Sequence, residues 1–153
     1  MGIVPITSIV IKDGASSAIF YYKDMKVESP TLKASAAGYV AASTRFTITA
    51  GTMAKLFFIK GANQTIKVGE NSANIKVRIL NEYGAPFKTT TPLIVSLSTT
   101  STGGTFQHGF SITINSGQSD SPDFWYKDTI RGTPTLTASS GTLTPATTVF
   151  TIR

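Results

Sequence analysis

The 153-residue sequence contains no cysteine. That excludes a disulfide framework, thiolate metal ligation and any Cys–His nucleophile. Histidine is nearly as scarce. His108 is the single one, in the run Phe106-Gln107-His108-Gly109, and no Gly-x-Ser-x-Gly elbow lies near it. Zinc held by one histidine and no cysteine needs several carboxylates. The chain has only eight acids, Asp13, Asp24, Glu28, Glu70, Glu82, Asp120, Asp123 and Asp128, and they are scattered. Asp120 and Asp123 with nearby carbonyls form the best calcium alternative, but no EF-hand loop supports it. Asp24 and Asp128 stand at strand ends beside a lysine, where a structural role is expected rather than acid–base chemistry. No glycine-rich phosphate loop occurs, because Gly103-Gly104 precedes a strand and not a helix. The reading is a non-enzymatic protein with no cofactor and no metal.

Charge is also sparse. Asp, Glu, Lys and Arg make up 14% of the chain, against about 25% in an average soluble domain. Serine, threonine, glycine and asparagine take their place, a composition common on secreted and cell-surface β-proteins. The net charge is +6, yet Lys55, Lys60, Lys67, Lys76, Arg78 and Lys88 are spread singly. A nucleic-acid footprint gathers its cations on one face among stacking aromatics, so no nucleic acid is expected. Dispersed lysines fit solubility and protection of strand edges. No stretch approaches the roughly 18 apolar residues of a membrane span. The start, Met1-Gly2-Ile3-Val4-Pro5, carries no signal-peptide pattern. An extracellular or cell-surface location is expected, with the targeting segment outside this chain.

What the sequence does have is a duplication. Residues 20–48 match residues 124–152 at a constant offset of 104, with 14 of 29 positions identical and no gap. Phe20, Lys23-Asp24, Pro30-Thr31-Leu32 and Phe46-Thr47-Ile48 recur as Phe124, Lys127-Asp128, Pro134-Thr135-Leu136 and Phe150-Thr151-Ile152. A period near 100 residues is too long for a solenoid of short repeats and is the length of a two-layer sandwich domain of the Ig type. The second unit spans residues 50–153. The first, residues 1–49, has nothing equivalent to residues 50–105.

Period-two alternation dominates, and helix signals are nearly absent. Strands are expected near 55–60, 65–68, 73–80, 92–99, 110–115, 121–128, 133–139 and 147–152. The first unit repeats the last four, near 6–11, 17–24, 30–36 and 44–49. Alternation against charge turns Ile75, Val77, Ile79, Leu93, Val95 and Leu97 inward, and likewise Phe124 and Tyr126. Ile112, Ile114, Leu136, Ala138, Phe150 and Ile152 complete that core. Their counterparts in the first unit include Ile9, Ile11, Phe20, Tyr22, Leu32, Phe46 and Ile48. Trp125 and Tyr21 fall on the outward face, where a glycan strip is conceivable but packing against a neighbour is the commoner use of a lone tryptophan.

The segments Asn81-Glu82-Tyr83-Gly84-Ala85-Pro86, Val95-Ser96-Leu97-Ser98, Ser101-Thr102-Gly103-Gly104-Thr105-Phe106, Phe124-Trp125-Tyr126-Lys127-Asp128 and Gly132-Thr133-Pro134-Thr135-Leu136-Thr137-Ala138-Ser139 give the chain a resemblance. It resembles the bacterial and archaeal Ig-like repeats of large surface proteins, the invasin/intimin-like group. The resemblance implies an all-β, Ig-like β-sandwich and a role as a surface fibre, stalk or surface-layer module. On that reading the chain is one complete repeat preceded by the C-terminal half of a second.

Each chain then holds one first half and two second halves, so any pairing of halves leaves one second half over. Ile9, Ile11, Phe20, Tyr22, Leu32, Phe46 and Ile48 are therefore the expected surface for self-association, by strand exchange into a homo-oligomer or filament. The alternative is an accessory glycan-binding or adhesin module of a secreted multidomain protein, with a cell-surface glycan as partner.

Overall fold

A computed structural model describes residues 7–24 and 26–153. The chain divides into two compact units, Met1–Ile48 and Thr49–Arg153. The described residues are all-β, with no helix among them.

Among the described residues the first unit holds one hairpin. Strand β1 (Thr31–Ala34) pairs antiparallel with β2 (Ala42–Arg45). The segment from 7 to 24, including a turn at Gly14 (φ 77°), forms no strand. This corrects the expectation of strands near 6–11 and 17–24, residue 6 lying outside the described residues. The physical reason is visible in the second unit.

There, β3 (Met53–Lys60), β4 (Thr65–Ile66), β5 (Lys76–Asn81), β6 (Leu93–Thr99), β7 (Gly104–Phe106), β8 (Ser111–Ile114), β9 (Tyr126–Asp128), β10 (Thr135–Ser139), β11 (Ala146–Val149) and β12 (Thr151–Ile152) follow in order. One sheet has the order β11-β10-β6-β8. The other side is built from the antiparallel pairs β3-β5 and β7-β9. Bridges from Ile75 to Phe124 and from Arg78 to Asp120 join these two pairs. Strand β12 runs parallel to β4.

Among the described residues strand β8 has β6 as its one ladder partner, and residues 120–128 pair with β5 and β7. All of these partners belong to the first half of the repeat. Within the second half the pairing is that of β10 with β11, continued by a bridge from Gly132 to Ile152, and this hairpin is what the described part of the first unit retains. A strand is an element only when another backbone satisfies its donors and acceptors. Sequence alternation alone does not supply that backbone.

Apolar residues of both layers meet in one core. Ile75, Val77, Ile79, Val95, Ile114, Phe124, Tyr126, Ala138 and Phe150 are fully buried, and Leu97, Ile112, Leu136 and Ile152 nearly so. Leu93 packs against the core while staying partly exposed. Leu56, Phe58, Ile66, Phe106 and Ala146 also belong to it and escape the sequence reading. In Leu56-Phe57-Phe58-Ile59 both faces are apolar, so alternation gives no direction; Phe57 is the one turned to solvent. Strand β7 likewise goes unforeseen, being only three residues long.

Candidate assembly surface

The first-unit hairpin is a copy of the β10–β11 hairpin. Thr31, Leu32, Lys33 and Ala34 face Arg45, Thr44, Ser43 and Ala42. Adding 104 to each number gives the observed pairing of Thr135, Leu136, Thr137 and Ala138 with Val149, Thr148, Thr147 and Ala146. The flanking bonds repeat as well. The Phe46 amide donates to the Pro30 carbonyl at 3.1 Å and the Ile48 amide to that of Glu28 at 2.9 Å. Their counterparts are Phe150 to Pro134 at 2.9 Å and Ile152 to Gly132 at 2.8 Å.

A polar motif recurs at the same offset. The Tyr22 hydroxyl donates to Asp24 at 2.7 Å, and the Lys26 amide caps the other carboxylate oxygen at 2.9 Å. In the second unit the Tyr126 hydroxyl donates to Asp128 at 2.5 Å and the Ile130 amide caps it at 2.9 Å. There the first half of the repeat adds two groups. Thr99 Oγ1 lies 2.9 Å from the Tyr126 hydroxyl, and Ser101 Oγ donates to Asp128 at 2.9 Å. Burial, with the bond to Asp128, pushes the Tyr126 hydroxyl well above the usual tyrosine range. The bond to Asp24 raises Tyr22 in the same direction. The repetition of Tyr-Lys-Asp is legible in the sequence; Thr99 and Ser101, which complete the network, are not, because they lie 27 positions upstream of their partners.

The packing environment separates the two copies. Ile9, Ile11, Phe20, Tyr22 and Phe46 are 46, 53, 47, 45 and 40% exposed. The aligned Ile112, Ile114, Phe124, Tyr126 and Phe150 are 4, 0, 0, 0 and 0% exposed. Leu32 and Ile48 are half-buried. Tyr22 and Phe46 stack with ring centroids 6.1 Å apart, whereas Tyr126 and Phe150 meet edge to face at 5.5 Å inside the core. Ile9 and Ile11 lie in the segment before Gly14 and in no strand.

The residues weighed for chemistry are placed otherwise. His108 sits exposed in a turn. Asp120 accepts two bonds of 2.6 Å from Arg78, which hold its carboxyl below the usual range. Lys76 and Lys60, each 3.2 Å away, do the same for Asp123. Both carboxylates are thus engaged in ion pairs. Among the described residues, no three of His, Asp and Glu gather where a metal could be held. Tyr21 is almost fully exposed and Trp125 is half-buried.

Comparison with solved structures bears on this architecture. Domains 4 and 5 of the S-layer protein SbsC superpose with a TM-score of 0.50 and 18% identity. The match covers 72% of this chain and 58% of that one, so the chain spans a little over half of the S-layer fragment. The chain has the fold of these S-layer domains. A longer SbsC fragment, domains 4–9, matches at TM-score 0.51 and 18% identity, over 82% of this chain and 18% of that one. A glycosyl hydrolase family 2 member from Bacteroides cellulosilyticus matches at 0.54 and 14%, over 80% and 17%. No protein-family model matches the sequence, and no curated protein does. The Ig-like sandwich therefore occurs both in surface-layer proteins and within an enzyme of several times this length.

Proposed function

We propose that the chain is a non-enzymatic Ig-like module of an extracellular structural protein, a surface layer, fibre or stalk, and that residues 1–48 mediate its association with further copies. The observation that carries this is the contrast between the two copies of the second half. The hairpin repeats in the same register, while five large side chains outside its strands, Ile9, Ile11, Phe20, Tyr22 and Phe46, are about half exposed where their counterparts are buried. Leaving those five half exposed forfeits on the order of 5 kcal/mol of burial. A surface of that size and pattern is an interaction surface rather than ordinary exterior. The hydroxyl-rich, charge-poor exterior and the S-layer likeness agree with a surface setting.

Strand exchange is the route that the duplication favours. Either second half can sit against the sheets of residues 50–105, and each displaced half is free to pair elsewhere. Such heterologous exchange builds a filament when its rotation does not close.

Phe20→Asp tests the reading, because it sets an unpaired carboxylate where an aromatic ring is to be buried. Sedimentation velocity is expected to show assembly by the parent chain and none by the variant, with the thermal transition of the second unit unchanged. Equal sedimentation of the two would end the proposal.

The hydrolase likeness favours a second reading, an accessory glycan-binding module of a secreted enzyme. Retardation of a monomeric chain in polysaccharide-containing gels is its signature.

A further inference from the structure

The open edge of β1 has a definable complement. In the second unit β10 is flanked on both sides, by β11 and by β6. Leu136, Thr137, Ala138 and Ser139 face Thr99, Ser98, Leu97 and Ser96 of β6. Among the described residues β1 pairs with β2 alone. Backbone groups alternate between the two sides of a strand, and the second unit shows which point where. The Pro134 carbonyl accepts from Phe150 on the β11 side. Thr135 faces the β6 side, its carbonyl accepting from the Thr100 amide at 3.1 Å and its amide donating to Thr100 Oγ1 at 3.0 Å. By the 104-residue offset, Thr31, Lys33 and Ser35 turn their backbone groups to the open edge.

We infer that this edge is an acceptor for an antiparallel strand with the pattern of residues 93–101, carried by a second polypeptide. The incoming strand sets Thr99 opposite Leu32, Ser98 opposite Lys33, Leu97 opposite Ala34 and Ser96 opposite Ser35. Three observations point to this occupant. The hairpin is already in the register that β6 meets in the complete unit. The Tyr22–Asp24 pair repeats the pair that Thr99 and Ser101 complete. The alternation Val95-Ser96-Leu97-Ser98 puts Val95 and Leu97 on the apolar side, where in the second unit they are buried in one core with Phe124 and Phe150. Lys33 does not block this edge, because its side chain lies on the opposite face, beside a serine in the template pairing. Main-chain bonds supply affinity in such strand addition and the alternate side chains supply specificity.

The inference rests on the assembly reading and specifies its chemistry. The test adds a synthetic peptide of residues 91–101 to the full chain. The expected result is one peptide bound per chain, slowed amide exchange at Thr31, Lys33 and Ser35, and competition with assembly. A peptide carrying Ser98→Pro, which removes a donor aimed at Lys33 and leaves the protein untouched, is expected to bind at least about tenfold more weakly. Lys33→Pro in the chain is expected to cost the same factor, since its amide faces away from β2. Equal binding of the parent and Ser98→Pro peptides overturns the inference. So does absence of binding by a chain that assembles in a Phe20-dependent way, which would leave the assembly reading standing with the face covered by packing alone. A chain that neither assembles nor binds removes both.

Discussion

Tyr126 and Asp128 show how one side-chain pair reports whether a repeat is whole. Both are fully buried, and the carboxylate accepts from Tyr126, Ser101 and the Ile130 amide. Tyr126→Phe removes a hydrogen-bond partner from a buried polar group, which costs roughly 1–3 kcal/mol. Urea unfolding of the second unit is expected to shift by that amount, and Tyr22→Phe, at a half-exposed site, to leave the curve in place. A variant pair with equal effects would mean that the two sites are equally buried in solution. Asp120 sets a pH dependence at the same scale. Its folded-state pKa lies below the unfolded value because Arg78 binds the charged form. The stabilisation is therefore present above about pH 4, the unfolded carboxyl value, and is lost as pH falls through the lower folded value. Melting temperature measured from pH 5 down to pH 2 is expected to decline. Arg78→Met should flatten part of that decline while costing about 1 kcal/mol at neutral pH.

At the scale of elements, close approach decides which strands fit together. Gly104 in β7 lies so near the ring of Tyr126 and the methyl of Thr99 that a β-carbon there has no room. Gly104→Ala is expected to destabilise the second unit by about 1–3 kcal/mol through overpacking, readable in the same unfolding experiment. Gly109, in the turn that follows, is open around its α-carbon, but its φ of 73° makes alanine costly there for a different reason, backbone strain.

Much of this level is legible in the sequence. The alternating stretch Ile75, Val77, Ile79 announces its buried face because Lys76 and Arg78 stand between, and the duplication predicts a hairpin in the first unit, expected near 30–36 and 44–49 and found at Thr31–Ala34 and Ala42–Arg45. Two kinds of feature are not legible. Strand β3 is apolar on both faces, so its inward pair, Leu56 and Phe58, is set by which side the other sheet occupies. The segments near 6–11 and 17–24 carry strand alternation, yet their hydrogen-bonding partners belong to the half of the repeat that the first unit lacks. Alternation describes a face, whereas a ladder needs a neighbour. Of the surface set, Phe20, Tyr22 and Phe46 follow from the 104-residue offset and Ile9 and Ile11 from one shorter by a residue, and the open edge beside Lys33 emerges only from the pairing.

For the whole molecule, the duplication makes the two units unequal in stability. The second unit has its own two-sided core, and residues 49–153 alone are expected to unfold in one cooperative thermal transition. A gradual, featureless melt of that fragment would move the boundary away from Thr49. Among the described residues the first unit has a hairpin and no further strand, and its order is expected to depend on what another chain contributes. The most direct measurement is sedimentation equilibrium of the full chain and of residues 49–153 across a hundredfold range of concentration. The apparent mass of the full chain is expected to climb with concentration while that of the fragment stays at one copy. A full chain that remains a monomer throughout, with the fragment indistinguishable from it in behaviour, would mean that residues 1–48 do not drive association.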